Sequence, residues 1–279
     1  MPNEYSLIWP SEDGSMYVPN GDRNPDMDIK MNIPIFVIHY TPLTDRKQHM
    51  LTQLSDHGLQ AEFITQFDRE NITDFTFFDT SKISSRCISN LMKHCEIYRK
   101  MIQDNIPYAI VFDDDVCLAK DFNKIMNETL KNLPSTFDIC YMGDICGFHI
   151  KDINLDTNVY LKSNQDGHVF TTSGKYEYSM GSSRGPAYIL TNACAHKIMS
   201  MFVPGYKISR LGHDHWMTDV AREKNLQVYW SEPTFVCGGS DIETFKSSLG
   251  HQEWANTKKQ VKKLNFRDLI NSPTIALRF

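Results

Sequence analysis

An apolar run, Tyr108-Ala109-Ile110-Val111-Phe112, leads straight into three carboxylates, Asp113-Asp114-Asp115, and Val116 closes the stretch. The run reads as a strand buried on both faces of a sheet. Burying even one unpaired carboxylate is strongly disfavoured, so three at the end of such a strand call for positive charge beside them. A hard divalent cation meets that need, because oxygen ligands suit Mg²⁺ and Mn²⁺. Residues i and i+2 of an extended segment point the same way. Asp113 and Asp115 can therefore share a metal, while Asp114 faces elsewhere. A metal held there can grip a diphosphate. The competing reading is a solvated acidic turn at a strand end.

The chain around this stretch alternates strand and helix. Ile33 to Tyr40 form a first, nearly continuous apolar strand. Thr44 is placed to cap a helix reaching about His57, with Met50, Leu51 and Leu54 inward and Gly58 as terminator. A second strand is expected over 61–65. Ser84 to Gln103 form the clearest helix, with Ile88, Leu91, Met92, Cys95, Tyr98 and Ile102 on one face. Asp121 starts another helix, and Phe137 to Met142 form a strand. Residues 144–180 are polar and suggest hairpins. Pro186 to Leu190 are a strand, and Thr191 caps a helix over 192–201. Asp214 is placed to cap a helix to about Lys224, and Leu226 to Trp230 are the last clear strand. Strands alternating with helices argue for an α/β sandwich with a mostly parallel central sheet. Ligands of such sheets sit beyond the carboxyl ends of the strands, where the acidic triplet falls.

Of 279 residues, 41% are hydrophobic and 11% aromatic, enough for a real core. The net charge of −5 gives no support to nucleic-acid binding. Residues 1–32 lack periodicity and read as an N-terminal arm, residues 33–250 as the main domain, and 251–279 as a basic helical tail. Lys258, Lys259, Lys262 and Lys263 of that tail allow peripheral contact with an anionic membrane, although a solvated helix is the simpler reading. The seven cysteines form no CxxC, and several sit in apolar runs, which suits reduced, buried thiols. With no signal-peptide core and no span-length apolar stretch, a cytoplasmic location is the expectation.

Four stretches resemble glycosyltransferase family 25, which includes lipooligosaccharide and procollagen galactosyltransferases. Phe36-Val37-Ile38-His39-Tyr40 through Asp45-Arg46 is similar to the family's opening strand and its RxxR-like turn. Lys93-His94-Cys95-Glu96-Ile97-Tyr98 with Ala109 to Asp115 resembles its SHxxxW…VFEDD block. Asp138-Ile139-Cys140-Tyr141-Met142-Gly143 resembles DxIYLG, and Ala187-Tyr188-Ile189-Leu190 resembles AYVIS. Asp113 stands where Glu is usual and Lys93 where Ser is usual, and Cys237 to Asp241 offer no match to the family's late Gln or His. The resemblance covers roughly residues 33–245. It implies a GT-A fold, a UDP-sugar donor (most often UDP-galactose), a divalent metal and inversion at the anomeric carbon.

On that basis Asp113 and Asp115 are the expected metal ligands, for Mn²⁺ or Mg²⁺. Asp114, Asp68, Arg46, His94 and Arg184 are the expected donor-side residues. One-step inversion needs a base on the acceptor hydroxyl, opposite the leaving group. Asp214 in Gly212-His213-Asp214-His215-Trp216 is the candidate, since a helix N-terminus favours negative charge. A plain helix cap is its competing role. His213 and His215 invite a metal reading that core or surface filling outweighs, and Trp216 is expected in the core. The implied partners are a UDP-hexose and a glycan, glycolipid or protein acceptor, with hydroxylysine among the options. The rivals are a metal-dependent nuclease or phosphatase, and a degenerate nucleotide- or carbohydrate-binding module that kept the fold without turnover.

Overall fold

The computed structural model describes residues 33–133, 135–142, 159–162, 186–210, 212–232, 235–240 and 245. The N-terminal arm, the basic tail, most of the expected hairpin segment and Arg184 lie outside the described residues.

Strand β1 (Ile35–Ile38) has four consecutive buried apolar residues, so both its faces must be covered. Alternation sends Phe36 and Ile38 into one core cluster and Ile35 and Val37 into the other. The chain then enters helix α1 (Thr44–Asp56), strand β2 (Glu62–Ile64) and helix α2 (Ser85–Gln103). Strand β3 (Tyr108–Asp113) pairs parallel with β1, register Ile38↔Asp113, and β2 pairs parallel on the other side of β1. After β3 come β4 (Val116–Leu118), α3 (Phe122–Asn132), β5 (Ile139–Tyr141) and β6 (Val159–Lys162). The rest is β7 (Ala187–Thr191), α4 (Asn192–Met199), α5 (His213–Glu223), β8 (Val228–Glu232) and β9 (Val236–Gly238).

Seven strands form the main sheet, in the order β2-β1-β3-β7-β5-β8-β6. β1, β2, β3, β5 and β8 run one way, and β7 and β6 run against them. The expected α/β sheet of mostly parallel strands is thus present, with an antiparallel β7 at its centre. Helices α2, α4 and α5 supply the cluster on one face, and α1 and α3 the cluster on the other. Each large apolar side chain fully buried contributes about 1.5–3 kcal/mol. The four of β1 alone therefore outweigh the few kcal/mol that a buried ion pair at its end costs.

Several local readings hold and two do not. Ser84, expected as the first residue of α2, is its cap and accepts from Cys87 N, and Thr191 caps α4 as expected by accepting from Cys194 N. Gly58 takes a φ of 65°, the left-handed conformation that ends α1 at low strain. Thr44 is not a cap: Leu43 holds the cap position and Thr44 is already helical. Asp214 is not a cap either: Gly212 holds that position, and Asp214 lies in the first turn of α5. The two-stranded ribbon β4–β9 was not expected, because strands of three residues leave too little alternation to read. No helix among the described residues is long and apolar enough to cross a membrane.

Candidate functional site

β3 ends at Asp113, and parity places that residue on the face of Ala109 and Val111, toward α2 and α5. Its Oδ1 is buried and has no hydrogen-bond partner among the described residues. Burial pushes the Asp113 carboxyl well above the usual carboxylate range, and the charges of Asp115 and Asp114 push it further. Asp214 adds to this from the first turn of α5, so that helix brings its carboxylate to the same sheet end. A carboxyl group raised by burial and like charges lies where a cation is welcome.

Asp114 and Asp115 leave the strand into a turn, and Arg46 spans them. The Arg46 guanidinium donates from Nη1 to Asp114 Oδ1 at 2.8 Å and stands 3.2 Å from Asp115 Oδ2. Arg46 is itself buried, because β1 leads almost directly into the first turn of α1. An arginine in the first turn of a helix is ordinarily exposed and weakly partnered; Arg46 is neither. His39, at the end of β1, places Nδ1 2.8 Å from Asp114 Oδ2, and its Nε2 is buried with no hydrogen-bond partner among the described residues. The other side of the turn is sealed by backbone: Gly239 N donates to Asp115 O at 2.7 Å. A Cβ on Gly239 would fall 2.3 Å from that oxygen, so only glycine fits without a shift.

A second ion pair stands beside the first. Lys93 Nζ donates to Asp68 Oδ1 at 2.6 Å and to the His39 carbonyl at 2.8 Å. Both side chains are buried. Burial lowers the Lys93 pKa, and Asp68 opposes that shift. Asp68 Oδ2 also accepts from Thr41 N at 3.3 Å, which joins the ends of β1 and β2.

His94, the next residue of α2, belongs to a different environment. Its ring stacks on His213 with centroids 3.6 Å apart and planes 9° apart. His94 Nδ1 is 2.8 Å from the Tyr188 hydroxyl, which is 2.8 Å from the Tyr98 hydroxyl. Tyr98 in turn is 2.8 Å from His213 Nε2, so four side chains from α2, β7 and α5 form one network. Burial drives both histidines neutral: His94 lies well below the usual range and His213 is lowered to about 3. His213 is thus a core group that fixes the start of α5. His215 is exposed on the same helix, so the two do not converge on a metal. Asp214, between them, has Oδ1 accepting from His215 N at 2.8 Å. Trp216 is in the core as expected, 1% exposed.

The sheet end thus gathers Asp113, Asp114, Asp115, Arg46 and Asp68, with Asp214 near by. His94 stands behind them through His213. The sequence alone assigns no role to His39 or Lys93. Lys93 carried a usable signal, since a lysine among the apolar residues of an amphipathic helix must find an anion. His39 carried only its place at a strand's carboxyl end. Among the described residues, no three His, Cys, Asp or Glu side chains gather as a metal-binding group.

No curated protein matches the chain. Among solved structures, one described as a glycosyltransferase involved in the glycosylation of the major capsid of PBCV-1 aligns over 83% of this chain and 99% of its own. The identity is 10% and the TM-score 0.34. Residues 32–212 match the family described as "Glycosyltransferase family 25 (LPS biosynthesis protein)". That span exceeds half of the sequence and includes β1, the acidic triplet and β7, so the chain belongs to glycosyltransferase family 25.

Proposed function

We propose that this glycosyltransferase is metal-dependent and inverting, and that it moves a hexose, with galactose the first choice, from a UDP-sugar to a hydroxyl. The acceptor is a glycan, a glycolipid or a protein side chain such as hydroxylysine. The observation that supports this most is the buried Asp113 carboxylate oxygen, without a hydrogen-bond partner among the described residues, beside Asp115 at the carboxyl end of β3.

The donor set fits a hard cation. Mg²⁺ is usually held by one or two carboxylates together with substrate phosphates and water, not by an all-protein cage. Asp113 and Asp115 would therefore suffice for a metal that is shared with the diphosphate. When bound, such an ion neutralises charge developing on the departing diphosphate. The chain's own residues do the rest. Arg46 and His39 hold Asp114, and through it the turn that presents Asp115. Lys93 holds Asp68 at the end of β2, where the family's nucleoside is expected. Asp214 accepts the acceptor hydroxyl's proton on a carboxylate oxygen, and the His94–His213 stack keeps the first turn of α5 in place for this.

A binding module without turnover also has an observation in its favour: Arg46 already spans Asp114 and Asp115, as a fixed cation would. Calorimetric titration of UDP, UDP-galactose and UDP-glucose, each with and without Mn²⁺, separates the readings. Metal-dependent binding that Asp115→Ala removes is expected, with sugar transfer lowered about 10²–10⁴-fold by Asp214→Asn while UDP affinity is kept. Metal-independent binding with no transfer would favour the module. Folded protein that binds none of the three would sink the UDP-sugar reading.

A further inference from the structure

The β4–β9 ribbon carries two thiols in a constrained relation. Its antiparallel register is Val116↔Gly238, Cys117↔Cys237 and Leu118↔Val236, so the two cysteines face each other directly. Directly opposed residues of an antiparallel pair have Cα atoms about 4.5–5.5 Å apart. A disulfide spans Cα separations of about 4.4–6.8 Å, so the backbone already has the required spacing. Cys117 is half-buried and Cys237 is 1% exposed, which makes Cys117 the sulfur that a reagent meets first. Both are thiols here. Cys87, Cys95, Cys140 and Cys194 are thiols too, but all are buried in the core clusters. His49 Nε2 lies 3.9 Å from Cys117 Sγ, giving that sulfur an imidazole neighbour.

We propose that Cys117 and Cys237 are a thiol–disulfide exchange site that takes a low-molecular-weight disulfide as its oxidant. The Cys117 thiolate attacks one sulfur of the small disulfide, whose S–S bond breaks and releases one small thiolate. The Cys237 thiolate then attacks Cys117 Sγ in the mixed disulfide and expels the second. The protein thiols lose two electrons, the small disulfide gains them, and the two protein protons end on the two small thiols. The product is a covalent staple across the ribbon. The staple stands next to the turn, because Gly239 follows β9 and its N–H holds the Asp115 carbonyl. It would also close a long loop of chain, which stabilises mainly by restricting the unfolded state.

The test exposes the full chain to oxidised and reduced glutathione at graded ratios, followed by alkylation, peptide mapping and a thermal melt. A Cys117–Cys237 linked peptide is expected, reversible by a reduced dithiol, with the melting temperature raised by about 5 °C or more. Cys237→Ala should stop at a mixed disulfide on Cys117, and Cys117→Ser should show neither the link nor the rise. Wild type in which both residues remain alkylatable at the most oxidising ratio would overturn the proposal. So would a persistent mixed disulfide on wild-type Cys117. None of these readouts depends on sugar transfer, so failure here leaves the proposed reaction untouched, and the reverse holds.

Discussion

At the ends of β1 and β3, Arg46, Asp114, Asp115, Lys93 and Asp68 bury charge against charge. Between α2, β7 and α5, His94, Tyr98, Tyr188 and His213 bury polarity with no charge at all. The two regions share helix α2, where Lys93 faces one and His94 the other. Their solutions suit different tasks. A cluster built of ions keeps a strong local field and can exchange a partner for a ligand. A cluster of neutral rings has nothing to exchange, and it holds three elements at fixed separation. On the reaction proposed above, the first would serve a charged donor and the second a positioned base.

The comparison breaks most visibly if one partner of an ion pair is removed. Asp68→Ala leaves the Lys93 ammonium buried beside only a carbonyl and should cost about 3–5 kcal/mol in urea unfolding. A loss under 1 kcal/mol would mean that water reaches Lys93 and that the charged region is not truly buried. The neutral region should lose less. Tyr98→Phe deletes the hydroxyl between Tyr188 and His213 and should cost about 1–3 kcal/mol.

Acid sharpens the contrast further. His213 has its folded pKa lowered to about 3, from an unfolded value near 6.5. Above that unfolded value both states are neutral, and the full stability is present. As pH falls below it, the unfolded chain binds a proton that the folded one refuses. Stability should then drop by up to about 1.4 kcal/mol per pH unit for each such histidine, down toward the folded value. Denaturant melts between pH 7 and 4 on wild type and His213→Phe measure this, and equal slopes would refute it.

Much of this was legible in the chain. The apolar run into Asp113-Asp114-Asp115 located the sheet end, and the stripe Ile88, Leu91, Met92, Cys95 and Tyr98 gave α2 nearly to the residue. Both are local signals that repeat over many positions. What escaped was non-local. Lys93 looks like a flaw in an apolar stripe until Asp68, 25 residues away in sequence, meets it. Arg46 looks exposed until the turn after β3 covers it. Cys117 and Cys237 become neighbours only through a ribbon whose strands are each three residues long. Thr44 and Asp214 were both one or two positions inside their helices, where the same residue types do not cap.

The antiparallel placement of β7 has a consequence for how such a protein can change. Just past β5, Met142 N donates to Ala187 O, and just before β7, Pro186 O accepts from Asp113 N at 2.8 Å. The end of β5 and the start of β7 thus meet at the sheet end that holds the carboxylates. The chain between them also supplies β6, which pairs with β8, so length can change without disturbing a strand pair only on either side of β6. There each doubling of a loop adds roughly 0.6 kcal/mol of closure entropy. Variation can accumulate in those two stretches while β5, β6 and β7 keep their register. Such changes in length leave the residues at the end of β3 where they are.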